Sequence, residues 1–151
     1  MPTFRKTLTP RKTIAAVLVA LATATALPAS ANEISIRQYG YGHGTGGEQT
    51  GWRNRIGTFQ EGRFNDAIVR QNGRRNTAAV GQNGRRNNAD AWQRGRDNAA
   101  GIGQFGDDHS IVVTQDGNGN IAAGVQVGRG CSGEVVQNGR GNVSAFVQTC
   151  D

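Results

Sequence analysis

Two cysteines, two histidines and one acidic stretch are the residues of this chain whose types suggest chemistry. Cys131 and Cys150 could close a disulfide or crosslink two chains. His43 and His109 could each ligate a metal, but they stand 66 residues apart. Asp116-Gly117-Asn118-Gly119-Asn120 has the opening spacing of a calcium loop, yet Ile121 stands where that loop needs glycine. The stretch therefore reads as a turn. No nucleophile–base or paired-carboxylate arrangement stands out, so the reading is of a protein that is not an enzyme, with no cofactor and no metal. The reactive groups present in number are primary amides, and their chemistry is hydrogen bonding.

The amides are strictly spaced. Glutamines fall at Gln38, Gln49, Gln60, Gln71, Gln82, Gln93, Gln104, Gln115, Gln126, Gln137 and Gln148, an unbroken interval of 11. Two residues after each comes glycine, from Gly40 to Gly139, until Cys150 takes that place. Five residues after comes Asn54, Asn65, Asn76, Asn87, Asn98, Asn120 and Asn142, with His43, His109 and Cys131 as substitutes. Seven after is usually small, as at Ala67 and Ala89, and nine after is often β-branched or apolar, as at Val69 and Val113.

These positions define the elements. The unit is N-x-A-x-V-x-Q followed by x-G-x-x. Its first part alternates with period two, which predicts a strand with Asn, Ala, Val and Gln on one face. Its second part carries a fixed glycine and predicts a four-residue turn. Eleven strands follow, from 32–38 to 142–148. One strand and turn cannot bury its own face, but two facing strands make a 22-residue rung. Ordering such a rung costs on the order of 30 kcal/mol at ~1.5 kcal/mol per residue, which a thin interior of alanine and valine cannot offset alone. Stacking can, because each strand then pairs above and below. The expected fold is all-β, a β-solenoid of about five 22-residue rungs with two strands per rung. Inward amides left unpaired would cost ~1–3 kcal/mol each. Stacked Gln and Asn side chains would bond one rung to the next as a structural ladder, and a one-residue slip would turn every amide to the wrong face.

The ends and the charge complete the reading. Residues 1–31 have a basic leader, an apolar run and small residues at Ala29 and Ala31, which predicts a secretory signal peptide. Beyond it stand 13 arginines against 11 acids, so the net charge is about +2 and the pull toward nucleic acid is weak. No transmembrane segment is expected after signal removal. A 22-residue offset places Arg75 beside Asp97, Arg85 beside Asp107 and Arg86 beside Asp108. It also stacks Arg63 with Arg85 and Arg74 with Arg96. Trp92 and Phe59 fall on the outward face. Strand edges left open at each end would template another chain.

The pattern Q-x-G-x-x-N-x-A-x-x-x-Q, as from Gln60 through Gly62, Asn65 and Ala67 to Gln71, resembles the curlin repeat. It recurs from Gln71 to Gln82, from Gln82 to Gln93 and from Gln93 to Gln104. The resemblance covers residues 32–151 as one repeat domain. It implies a secreted structural subunit of curli, the extracellular amyloid fibres of bacterial biofilms, with a role in adhesion. Implied partners are copies of itself, another curlin subunit or nucleator, and the curli export apparatus; the implied location is a cell-surface fibre reached through the periplasm. Major subunit and nucleator share the repeat. A monomeric secreted β-solenoid that binds carbohydrate, ice or another surface is the alternative, but the varied outward residues lack the regular Thr-rich face of an ice binder. Cys131 and Cys150 occupy the Asn and Gly places beside one turn, so either an intramolecular bridge or an intermolecular crosslink is open to them.

Overall fold

A computed structural model of the chain describes residues 31–151; the expected signal peptide lies outside the described residues except for Ala31. The elements in order are β1 (Glu33–Tyr41), β2 (Gly44–Trp52), β3 (Arg55–Arg63), β4 (Asp66–Arg74), β5 (Thr77–Arg85) and β6 (Asn88–Arg96). β7 (Ala99–Asp107), β8 (Ser110–Asn118), β9 (Ile121–Arg129), β10 (Ser132–Arg140) and β11 (Val143–Cys150) follow. The chain is a β-solenoid. Odd strands form a six-stranded sheet in the order β1-β3-β5-β7-β9-β11, and even strands a five-stranded sheet, β10-β8-β6-β4-β2. All pairings are parallel, and Gln60 meets Gln82 as Gln71 meets Gln93, so like positions stack throughout. Among the described residues no helix is long and apolar enough to cross a membrane.

The inward faces behave as period two requires. Ala67, Val69, Ala78, Val80, Ala89 and Ala91 are buried between the sheets, while the alternate residues face outward. Small side chains let two backbone layers approach closely, and this leaves room for one layer of side chains from each sheet.

The turns differ from the expectation of four residues. β1 to β10 each run on past their glutamine for three residues and β11 for two, so only two residues separate neighbours, as Phe64 and Asn65 separate β3 and β4. The reason is that every rung bends at the same place. The glycine two after glutamine sits at φ between 99° and 132°. Because the rungs above and below copy that bend, hydrogen bonds along the axis continue through it. A Cβ on Gly84 would lie 1.8 Å from the carbonyl oxygen of Gly106 in the next rung, so under a further rung this place takes glycine; Cys150 fills it in the last strand, which has no further rung among the described residues. The residue four after glutamine is left-handed, with φ from 53° to 72°, whether it is Gly42, Arg53, Phe64, Asp97 or Gly141.

Candidate functional site

The glutamines form two columns along the solenoid. In the odd sheet, Gln38, Gln60, Gln82, Gln104 and Gln126 each donate through Nε2 to Oε1 of the glutamine one rung onward, ending at Gln148, at 2.8, 2.9, 2.8, 3.0 and 3.2 Å. In the even sheet the bonds from Gln49 through Gln71, Gln93 and Gln115 to Gln137 are 2.9, 2.7, 2.8 and 2.8 Å. The second N–H crosses the interior. Gln82 donates to the Asp66 carbonyl at 2.8 Å, and Gln93 to that of Thr77 at 3.0 Å, each on the facing sheet. Every central glutamine therefore ties its rung both to the next rung and to the opposite layer. That cross-link also sets direction. The carbonyl requires nitrogen on its side of the amide, so all Nε2 donors point toward the C-terminal end and all Oε1 acceptors toward the N-terminal end. At the N-terminal end Gln49 Oε1 is buried and has no hydrogen-bond partner among the described residues.

The asparagine columns are built differently from amide-to-amide stacking. The backbone N–H of Asn76 donates to Asn54 Oδ1 at 3.1 Å, that of Asn87 to Asn65 Oδ1 at 3.1 Å, that of Asn98 to Asn76 Oδ1 at 3.1 Å and that of Asn120 to Asn98 Oδ1 at 3.0 Å. The carboxamide nitrogen reaches the turn glycine of the next rung: Asn65 Nδ2 to Gly84 O at 3.1 Å, Asn87 Nδ2 to Gly106 O at 2.9 Å. Among the described residues only Asn142 donates through its carboxamide nitrogen to another asparagine, to Asn120 Oδ1 at 3.1 Å. The physical cause is position. Asparagine stands in the turn, where its backbone N–H has left the strand ladder, and its shorter side chain supplies the missing acceptor.

That division of labour accounts for the substitutes. His43 Nδ1 accepts from the Asn65 N–H at 3.3 Å, and His109 Nδ1 from that of Cys131 at 3.2 Å. The other ring nitrogen contacts the Tyr39 or Phe105 carbonyl, at 3.0 and 3.2 Å, which assigns it the proton. Both histidines thus replace the asparagine acceptor, while the second ring nitrogen turns to the carbonyl four residues back rather than to the next rung's glycine, and they face no metal-binding cluster of described residues. Cys131 and Cys150 are joined in a disulfide with Cα atoms 5.5 Å apart and a sequence separation of 19. The Asn65–Gly84 and Asn87–Gly106 bonds span the same separation. The bridge is a covalent version of the asparagine-to-glycine bond, in the terminal rung.

The surface follows the 22-residue offset. Arg75–Asp97 and Arg86–Asp108 are each bidentate, at 2.6 and 2.8 Å, and Arg85 pairs with Asp107. Arg129 approaches Asp107 as well, at 3.6 Å. Hydrogen bonding from Arg85, with its charge, holds the Asp107 carboxyl down to about 2, and Asp97 and Asp108 are lowered by Arg75 and Arg86 in the same way. The like-charged stacks lie where the register places them, Arg63 beside Arg85 and Arg74 beside Arg96. Arg55–Glu33 at 2.9 Å, Arg94–Asp116 at 3.8 Å and Arg129–Asp107 went unread in the sequence, though the same offset finds them. Phe59 and Trp92 are exposed.

A family model described as the Curlin associated repeat matches residues 52–84, 62–91 and 84–117. No curated protein matches the chain.

Proposed function

We propose, on the premise that the chain belongs to the curlin-repeat family through residues 52–117, that it is a secreted structural subunit of extracellular curli-type functional amyloid fibres. It self-assembles by stacking solenoid rungs and serves biofilm matrix and adhesion. The observation that carries this reading is the pair of glutamine columns with one donor direction, open at both ends of the described chain. A stack whose rungs each donate onward and accept from behind has no internal stop. Its end edges present strand backbone and amides to another chain. Copies of itself are the principal partner, with a second curlin subunit or nucleator starting growth and the curli export apparatus delivering the chain past the membranes. Residues 1–31 act as the secretory signal.

A thioflavin T time course tests the reading. Purified protein is expected to show a lag that preformed fibres of the same protein abolish, and the product is expected to give cross-β reflections near ~4.7 and ~10 Å. A protein that stays monomeric by sedimentation, with or without seeds, points instead to a free-standing binding module.

A further inference from the structure

The two ends of the solenoid are not alike, and their difference selects how a second copy can sit. The odd sheet holds six strands and the even sheet five, so the C-terminal end is stepped: β11 stands one half-rung beyond β10. We infer that a second copy of this chain docks on that step rotated by a half-turn about the solenoid axis, with its β1 on β10 and its β2 on β11. The inference rests on the self-assembly reading and adds the register of the junction.

Three independent features of the ends agree with it. The first is strand continuity. In the half-turn register β1 extends the shorter sheet and β2 the longer one, so both become unbroken. Docking without rotation sets β1 on β11 and leaves the even sheet one strand short, a gap of unpaired backbone N–H and C=O between β10 and β2. The second feature is the amide column. The half-turn register brings Gln148 Nε2, whose equivalents all donate onward, to Oε1 of Gln49 of the second copy, the one buried glutamine oxygen without a partner. The third is size. Phe146 is partly buried above Gly124, where an added Cβ would meet its ring at 2.7 Å. The residue brought over Phe146 is Gly47 of the second copy, so the ring lies between two glycines. On the other sheet Ile34 of the second copy comes over Gly133. Ile34 and Ile36, inward by period, are 46% and 45% exposed at the N-terminal end, and this docking covers them.

Paired cysteines distinguish the registers. Val136 and Arg37 lie on different sheets at opposite ends of one chain, so a bridge between them forms only across a junction. Stacked neighbours at ~4.8 Å fall within disulfide range. Val136→Cys with Arg37→Cys is expected to give an oxidant-dependent ladder of multimers from fibres on non-reducing gels, with the linked peptides identified by mass spectrometry. Val147→Cys with Arg37→Cys, the pair adjacent without rotation, is expected to stay monomeric. The reverse pattern, or fibres that yield neither bridge, overturns the half-turn junction and leaves self-assembly standing. Absence of fibres from the unsubstituted protein overturns the self-assembly reading itself. Cryo-EM supplies a measure free of cysteine variants. The axial repeat is expected to span two copies, about 53 Å or eleven strand spacings. Deleting one unit, residues 77–87, equalises the sheets and should reduce the repeat to one copy, about 24 Å. An unchanged repeat in the deletion variant counts against the inference.

Discussion

Ala67, Ala78, Ala89 and Ala100 fill one inward place through the middle rungs, whereas its terminal places hold Ile34, Thr45, Gly133 and Ser144. The middle places, Ile56 and Ile111 as well as the alanines, are buried between two neighbours of the same chain. A side chain there must fit between both of them in a close-packed layer. The ends escape that constraint within a single chain. At the C-terminal end Phe146 lies over Gly124 and its ring comes 3.1 Å from where a Cβ on Gly133 would stand, so one large side chain fills two small places. Middle places are therefore fitted on both sides within the chain, and end places on one side only, the other side being left for a second copy in the proposed fibre.

The glycine column gives the sharpest way to break this contrast. Gly84→Ala drives a Cβ to 1.8 Å from the Gly106 carbonyl, while the nearest atom to a Cβ on Gly139 is Asn142 Nδ2 at 3.8 Å. Gly84→Ala is expected to abolish the cooperative fold and fibre growth together. Gly139→Ala is expected to cost the chain only about 1 kcal/mol of backbone strain yet to slow elongation, because the next copy brings Gly40 over it and Cys150 already places a Cβ at the equivalent point of β11. Seeded growth rates and circular dichroism of both variants check this. Equal loss in the two variants erases the distinction between middle and end.

The glutamine columns sharpen it next. Gln82→Leu leaves Gln60 Nε2 and Gln104 Oε1 short of a partner in a buried layer and removes the cross-link to Asp66. At ~1–3 kcal/mol for each buried group left unpaired, a loss of about 3 kcal/mol is expected. Gln38→Leu, at an exposed end where water replaces the partners of its two hydrogen bonds to Gln60 and Thr45, is expected to cost about 1 kcal/mol. Guanidinium denaturation midpoints compare the two, and a larger loss at Gln38 would contradict the buried-column account.

Acid should have the smallest effect. Asp107 has its carboxyl depressed to about 2, with Asp97 and Asp108 lowered too, each by an arginine one rung away. A depressed carboxylate stabilises the fold fully above its unfolded pKa of ~3.9 and loses that contribution as pH falls through the folded value. Denaturation midpoints are thus expected to be level from about pH 7 to about pH 5 as far as these groups act. They should fall slightly between about pH 4 and pH 2, and less in salt because the pairs are exposed to solvent. A large fall already at pH 5 would assign the acid sensitivity elsewhere.

Most of the architecture was legible because its determinants are local and repeated. Alternation from Asn65 through Ala67 and Val69 to Gln71 settles which face is inward. The constant spacing from Gln38 to Gln148 leaves a parallel, in-register stack as the arrangement in which every amide meets its like. The same offset located Arg75 beside Asp97, while Cys131 and Cys150, 19 residues apart, were placed beside one turn with bridge and crosslink both open, and the structure joins them. What escaped the reading depends on where backbone groups point. Asn87 was grouped with glutamine as a stacking amide, but its role is set by the orphaned N–H of His109 and the carbonyl of Gly106, and neither direction is written in a residue name. The left-handed place was hidden as well, since Arg86 and Asp108 fill it as readily as Gly119.

From the order of residues alone came the strand, the bend, the inward face and the 22-residue register, because side-chain alternation and glycine's freedom act within a few bonds. Only the folded arrangement decided which way each amide turns, what the turn asparagines hold, and that the Phe146 ring turns toward Gly133 of the facing sheet. Those depend on atoms a full rung or a whole sheet away, brought within hydrogen-bond or van der Waals reach by the stacking itself.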